Sequence, residues 1–249
     1  MGQAKSLSSI FLVLILLFIP TGASFQTPMQ ESTPDFSAFP IIDFKDREPN
    51  GANIERLTKN KKFNKRHGKP ISESSKQIFT VMDWEVGLPT LPVGRSSSIV
   101  VGNITKATAH LSDDNTTIYS EFVIDVSAVV KNDTRMPIKV GESFTVSREG
   151  GGVRMPSGKL IVSWVNRQNM PRVGRKYLLF LTHEFPAGGD AGTDSYILTG
   201  YELRNGKTTP LDILPVGHPL AAYDGRDESI LFNDLLSASR RAQSQKNPR

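Results

Sequence analysis

The chain of 249 residues contains no cysteine. This removes structural disulfides, thiol nucleophiles, thiolate zinc sites and a lipoprotein-type modified cysteine in one step. Histidine is scarce, with four residues at His67, His110, His183 and His218. Long apolar runs are scarcer still: only Ile10–Ile19 qualifies, and its ten residues fall short of the ~20 needed to cross a hydrocarbon core. Preceded by Lys5 and followed by Pro20-Thr21-Gly22-Ala23-Ser24, the run reads as a secretory signal over residues 1–24. The expected product is secreted or periplasmic, with no membrane span once the signal is removed.

The formal net charge of +5 is modest but unevenly placed. Arg56, Lys59, Lys61, Lys62, Lys65, Arg66, Lys69 and Lys76 lie close together with Glu73 among them, and Arg240, Arg241, Lys246 and Arg249 crowd the C-terminus. Residues 25–83 are rich in Pro, Ser, Asn and Lys, and their isolated apolar residues keep no period. They are expected to form a basic, low-order spacer, with Ile78–Val81 and Trp84 at its end adding an edge strand or packing on the domain. Within it, Lys59, Lys61, Lys62, Lys65, Arg66 and Lys69 are the candidate polyanion-binding group, acting by charge neutralisation. A solvated run is the commoner meaning of such a cluster. Phe63 is its one aromatic residue, which argues against base stacking and against nucleic acid as the partner.

Beyond the spacer the chain is β-rich. Along Ile118–Lys131, the residues Ile118, Ser120, Phe122, Ile124, Val126, Ala128 and Val130 alternate with Tyr119, Glu121, Asp125, Ser127 and Lys131, the period-2 pattern of a strand with one core face. At ~3.3 Å per residue this strand is roughly 40 Å long, which predicts a bend or a bulge and service to two sheets. Further strands are predicted over Ile99–Thr105, Glu142–Arg148, Lys159–Val165, Arg175–Leu181, Tyr196–Arg204 and Lys207–Leu211, separated by turn-forming residues. Asn205-Gly206 is a type I′ hairpin signal, because both residues tolerate positive φ; Glu202 and Lys207 are expected to face each other across it. After the strands, Asp227 caps a helix on which Leu231, Leu235 and Ala238 share a face. The helix is expected to close one opening of a barrel. The fold class is therefore all-β: a small barrel or sandwich over residues 84–242 with one C-terminal helix, then a disordered tail over 243–249.

The series Val100-Val-Gly-Asn-Ile, His110-Leu-Ser, Ile118-Tyr-Ser-Glu-Phe, Val129-Val-Lys-Asn, Arg148-Glu-Gly-Gly-Gly-Val-Arg, Pro171-Arg-Val-Gly-Arg-Lys-Tyr-Leu-Leu-Phe-Leu and Ile197-Leu-Thr-Gly-Tyr-Glu-Leu resembles a family of exported proteins from acidobacteria-like soil bacteria, across about Trp84–Leu236. That family brings no activity with it. A looser similarity in strand order links the chain to netrin-like and metalloprotease-inhibitor domains, which implies an OB-type barrel and no more. The inhibitors act through an N-terminal cysteine, which this chain lacks.

Catalytic and cofactor motifs fail on spacing. Gly150-Gly151-Gly152 followed by Pro156-Ser157-Gly158-Lys159 has one residue too many for a phosphate loop and Leu160 where a hydroxyl should bind magnesium; a hairpin between strands is the better reading. His110 with Asp113 and Asp114, and His183 with Glu184, place an imidazole near carboxylates, but Ser112-Asp113-Asp114-Asn115 also has the composition of a turn. No G-x-S-x-G elbow is present. His67 and His218 read as solvated loop residues, Glu121 and Asp125 as the outer face of the barrel, and Trp164, Tyr177, Phe180, Tyr196 and Tyr201 as core or cross-strand packing. No catalytic residue, metal site or cofactor is assigned. The expected function is an exported, non-enzymatic binding or interaction module for a protein or an envelope polymer. The alternative is a secreted hydrolase with a site near His110, Asp113 and Asp114 or near His183 and Glu184.

Overall fold

A computed structural model describes residues 34–47, 54–66, 68–83, 87–185 and 193–246. The expected signal over 1–24, together with His67 and Trp84, lies outside the described residues.

Ten strands are present among the described residues: β1 Ile41–Asp43, β2 Ile78–Asp83, β3 Ser98–Leu111, β4 Ile118–Lys131, β5 Ser143–Glu149, β6 Gly151–Arg154, β7 Leu160–Asn166, β8 Lys176–Glu184, β9 Asp194–Arg204 and β10 Lys207–Pro210. Two helices join them, α1 Ile54–Lys62 and α2 Glu228–Lys246. The larger sheet runs β10-β9-β5-β4-β3-β8, and β8 also pairs with β9, so five strands close into a ring in the order β3-β4-β5-β9-β8. Every step of that ring is antiparallel except β5–β9, which is parallel and touches through a single pair, Ser147 with Tyr196. This is the five-stranded, partly open Greek-key barrel of the OB type.

The long strand behaves as its pattern predicts up to Val126. Residues Phe122, Ile124 and Val126 point inward with Val100, Ile104, Val146, Leu179, Leu181 and Ile197 to fill the barrel. The register against β3 then slips between Val101 and Gly102 and again between Ile99 and Val100. Each slip is a bulge that re-aims the side chains, so Ala128 is exposed and Val130 packs outside the barrel instead of continuing the inner row. At the other end, Ala109, Leu111 and Ile118 extend past the barrel and pack on Val153 and Ile161 of a second sheet and on Met155 just beyond β6.

That second sheet, ordered β1-β6-β7-β2, is fed from β5 by a corner at Gly150-Gly151. Gly151 has φ +146°, and a Cβ there would lie 2.8 Å from Ser120 Oγ and 2.9 Å from an Ile118 methyl. Only glycine lets the chain leave the barrel at that point. The expected hairpin therefore resolves into two features: this corner, and the β6–β7 hairpin that turns over Pro156-Ser157-Gly158, where Gly158 has φ +85°. Strand β2 lies at the sheet edge, paired in parallel with β7.

The Asn205-Gly206 turn has φ values of +53° and +73° and joins β9 to β10. Lys207 pairs with Asp227 at 2.6 Å and Glu202 with Arg175 at 3.3 Å, so these two do not meet as expected. Helix α2 buries Leu231 and Leu235 against Ile99, Val101, Leu178, Phe180, Tyr201 and Leu203. These residues alternate with the barrel-filling ones, so the helix covers the outer wall of β3, β8 and β9. It does not close an opening.

Within the segment expected as a low-order spacer, the described residues carry β1, α1 and β2. Residues 34–40 add Phe39, buried in the barrel core, and Phe36 packed against it. Ile71 joins the cluster between the two sheets. The segment lacks a hydrophobic period because it contributes single anchors to a core built by others. Helix α2 likewise continues through the first part of the expected tail.

Candidate functional site: the charged outer face of the barrel

Strand register defines the face. Thr108, Glu121, Ser147, Tyr196 and Thr182 stand opposite one another across β3, β4, β5, β9 and β8, and His110, Tyr119 and Glu149 form the neighbouring row. Asp194 stands at the start of β9, opposite Glu184. These are the positions that alternate with the barrel core, so the row of carboxylates faces outward.

Over this face lies the segment 54–66. Helix α1 aims Arg56 at Glu121 Oε2, 2.7 Å away, and at Tyr119 Oη, 3.2 Å away. Lys59 Nζ reaches Glu121 Oε1 at 2.6 Å and Asp194 Oδ1 at 3.6 Å, Lys62 also pairs with Asp194, and Arg66 donates to Glu149 at 3.0 Å. Tyr119 Oη donates to Asn60 Oδ1 at 2.6 Å. The turn after the helix is held by Asp114, whose carboxylate accepts from the Lys65 amide at 2.7 Å.

One aromatic column joins strap to barrel. The Phe63 ring stacks on Tyr119 with centroids 4.0 Å apart and planes 4° apart, His110 lies beyond Tyr119 at 5.2 Å, and the Arg66 guanidinium covers the other face of Phe63 at 4.7 Å. Tyr196 meets the edge of Phe63 at 6.4 Å. Phe63, in the turn that follows the helix, is 1% exposed, whereas Ile54 at the helix start is 83% exposed. The strap is thus anchored by one ring and several charges instead of an apolar stripe.

Burial alone would raise the Glu121 carboxyl, yet the neighbouring His110 and the cations of Arg56 and Lys59 hold it well below the usual carboxylate range. Arg56 loses some basicity to burial and regains more from Glu121 and Tyr119, so its guanidinium is held charged. Tyr196 is pushed up by burial and by the carboxylates of Asp194 and Glu184. Ser147, fully buried in the row between Glu121 and Tyr196, has a hydroxyl with no hydrogen-bond partner. Beside the strap, Ile42, Asp46, Arg47, Asn60, Thr108, His110 and Asp113 line a polar cleft of about 360 Å³.

The structure divides the predicted site residues among different places. Lys59, Lys62 and Arg66 have their charges matched by Glu121, Asp194 and Glu149, while Lys61, Lys65 and Lys69 are exposed or partly so at the surface. His110 is buried and 3.2 Å from Glu121. Asp114 serves the turn through Ser112 and Thr116, and Asp113 is exposed. His183 lies elsewhere: its ring sits between Ser98 and Ser195, with Nε2 2.8 Å from Ser98 Oγ and Nδ1 2.7 Å from Ser195 Oγ. Ser98 and His110 stand near opposite ends of β3, so the two histidine groups do not converge. Burial, opposed by Asp133 and reinforced by Arg135, lowers the basicity of His183. His218 is also buried, and its ring nitrogen accepts from the Leu220 amide at 3.2 Å; it caps a short 3-10 turn instead of standing in solvent. Among the described residues, no group of three or more His, Asp or Glu side chains is placed to hold a metal ion, and no helix is long and apolar enough to cross a membrane.

Glu121, Tyr119, Glu149, Asp194 and Tyr196 were not singled out by sequence as a site. The strap itself carried a signal: Arg56, Lys59, Asn60 and Phe63 keep the spacing i, i+3, i+4, i+7 of one helix face. Compared with family models, with curated proteins and with solved structures, the chain matches none.

Proposed function

We propose that this protein is an exported, non-enzymatic interaction module whose working surface is the acidic, aromatic face of β4, β5 and β9. The single observation that carries the reading is the covering of that face. Carboxylates and rings that would otherwise stand in water are occupied by a charged segment of the same chain, and OB-type barrels use this kind of wall for recognition. The fate of the histidines supports it further. Ser98 and His183 are within hydrogen-bond distance, as a nucleophile and its base would be, but Ser98 is fully buried and no substrate atom can reach it. His110 is stacked and paired in the same cluster as Glu121. Export rests on the signal read at residues 1–24, and on the resemblance to exported β-domain proteins. A protein partner suits a face of three carboxylates and two tyrosines better than an anionic envelope polymer does.

The test sets binding against hydrolysis. Purified protein, with His110→Ala and His183→Ala variants, would be assayed on chromogenic ester, phosphodiester and β-glycoside substrates. No turnover above buffer is expected from any of the three. Turnover that either substitution abolishes would establish the hydrolase instead, and co-sedimentation with purified peptidoglycan would move the ligand from protein to polymer.

A further inference from the structure

We propose that the face of β4, β5 and β9 is a receptor for a basic, ring-bearing peptide segment of a partner protein, and that residues 56–66 are its occupant within the chain. The inference rests on the interaction-module reading and names the chemistry of the partner.

Charge sets the class. Glu121, Glu149, Asp194 and Asp114 present acid to the space that the strap fills, and the cations found there come from the strap itself: Arg56, Lys59, Lys62 and Arg66. Shape refines it. Tyr119 offers a flat ring, Tyr196 an edge, and between them a slot that Phe63 fills face-on. A nucleobase would also stack on Tyr119, but its phosphates would then lie among these carboxylates. A segment carrying Arg or Lys on both sides of a Phe, Tyr or Trp satisfies slot and rim together.

The occupant is built to leave. Helix α1 has nine residues, too few to be stable alone in water. It reaches the barrel wall through Arg56, Lys59, Asn60 and Lys62. Its buried apolar anchor is Phe63; beside the Asn60 and Lys65 hydrogen bonds, much of the remaining attachment is ionic, weakened by salt and by competing cations. The fully buried Ser147 hydroxyl beneath it has no hydrogen-bond partner, so the strap leaves one polar group of the face unanswered. A tethered segment competes with a free one at an effective concentration in the millimolar range, so release of the strap raises the apparent affinity for an external segment.

The experiment uses the full chain and a fluorescent synthetic peptide of residues 54–66. Binding by anisotropy is expected to be roughly tenfold or more tighter to a Lys59→Gln/Lys62→Gln/Phe63→Ala protein than to the wild type, since the binding-competent fraction rises as the strap is released. It should be lost when the protein also carries Glu121→Gln and Asp194→Asn, or when the peptide carries Phe63→Ala. A second measurement avoids the multiple variant. Because the chain has no cysteine, Lys61→Cys gives one labelling site on the exposed side of the strap, and millimolar unlabelled peptide should increase the label's mobility. Equal affinity for wild type and variant, or no change in label mobility, overturns the proposal. So does tighter binding of an oligothymidylate than of the peptide. Either failure leaves the hydrolysis result untouched, whereas histidine-dependent turnover would remove the parent reading as well.

Discussion

The rings of Phe63 and Tyr119 lie face to face, 4.0 Å between centroids and 4° between planes, although 56 residues of sequence separate them (119 − 63). One ring belongs to a segment dominated by Lys, Asn and Arg, the other to the outer row of a barrel strand. Truncating an aromatic inside a core typically costs ~3–5 kcal/mol. Here the ring couples a short helix to a barrel that has a separate interior.

Phe63→Ala is therefore expected to free the strap without unfolding the barrel. Trypsin cleavage between Lys59 and Arg66 should accelerate about tenfold or more, a change of at least ~1.4 kcal/mol in the local opening equilibrium. The thermal midpoint of the barrel should fall by only a few degrees. Loss of all cooperative unfolding in this variant would mean that the strap is integral to the core.

Acid should release the strap through Glu121. Its folded carboxyl is held below the unfolded value of ~4.3, so the folded state binds fewer protons than the unfolded one as pH falls through that region. The stabilisation it contributes is complete above about pH 5 and declines progressively below ~4.3, towards the depressed folded value. Following the mobility of a Lys61→Cys label from pH 7 downward should show an attached strap until that window. Glu121→Gln should loosen the strap at neutral pH and flatten the acid limb. An unchanged acid limb in that variant would assign the effect to other carboxylates.

The barrel and the strap were unequally legible for a physical reason. Strand β4 sends alternate residues Phe122, Ile124 and Val126 into the barrel, and that writes a period-2 pattern into the sequence; β8, buried on both faces from Tyr177 to Leu181, reads instead as a short continuous apolar run. Asn205-Gly206 is likewise local chemistry. Strands β1 and β6 are three and four residues long, and β1 finds its partner β6 far along the chain, so no period has room to develop. The partners of Arg56, Lys59 and Phe63 lie far along the chain at Glu121, Asp194 and Tyr119. A charge run reads as solvated until its counter-charges are placed beside it. The helical spacing of Arg56, Lys59 and Phe63 was visible, but helical spacing does not say which surface the face will meet.

His183 offers a second pH probe at the opposite end of β3 from His110. Burial, with help from Arg135 and against Asp133, lowers its folded basicity, so the unfolded state binds the proton more readily. Its contribution is complete above the unfolded value of ~6.5 and is lost as pH falls below it. His183→Gln should reduce stability at pH 7 and make the unfolding free energy less dependent on pH between about 6.5 and 5. Urea titrations at pH 7, 6 and 5 would read this, and a slope identical to wild type would exclude His183 as the titrating group.

Arg148 and Asp212 test what holds the barrel to the chain after β10. Arg148, on β5, is 2% exposed, and its Nη2 lies 2.6 and 2.8 Å from the two Asp212 oxygens. Asp212 also accepts from Thr199 Oγ1 at 2.8 Å and from the Asn169 amide at 3.0 Å, and Arg148 Nη1 donates to the Asn169 carbonyl at 2.5 Å. The pair thus ties β5, β9 and the segment after β7 together. Removing one member leaves the other charged and buried, which costs ~3–5 kcal/mol, whereas replacing both by apolar groups of similar size is often neutral. Arg148→Met is expected to lower the unfolding free energy by that amount in urea titration, as is Asp212→Leu. The double variant should recover part of the loss, yet not all of it, because Thr199 and the Asn169 amide would lose their acceptor and stay buried. Additive losses in the double variant would show that the stabilisation comes from those neighbouring hydrogen bonds and not from the ion pair.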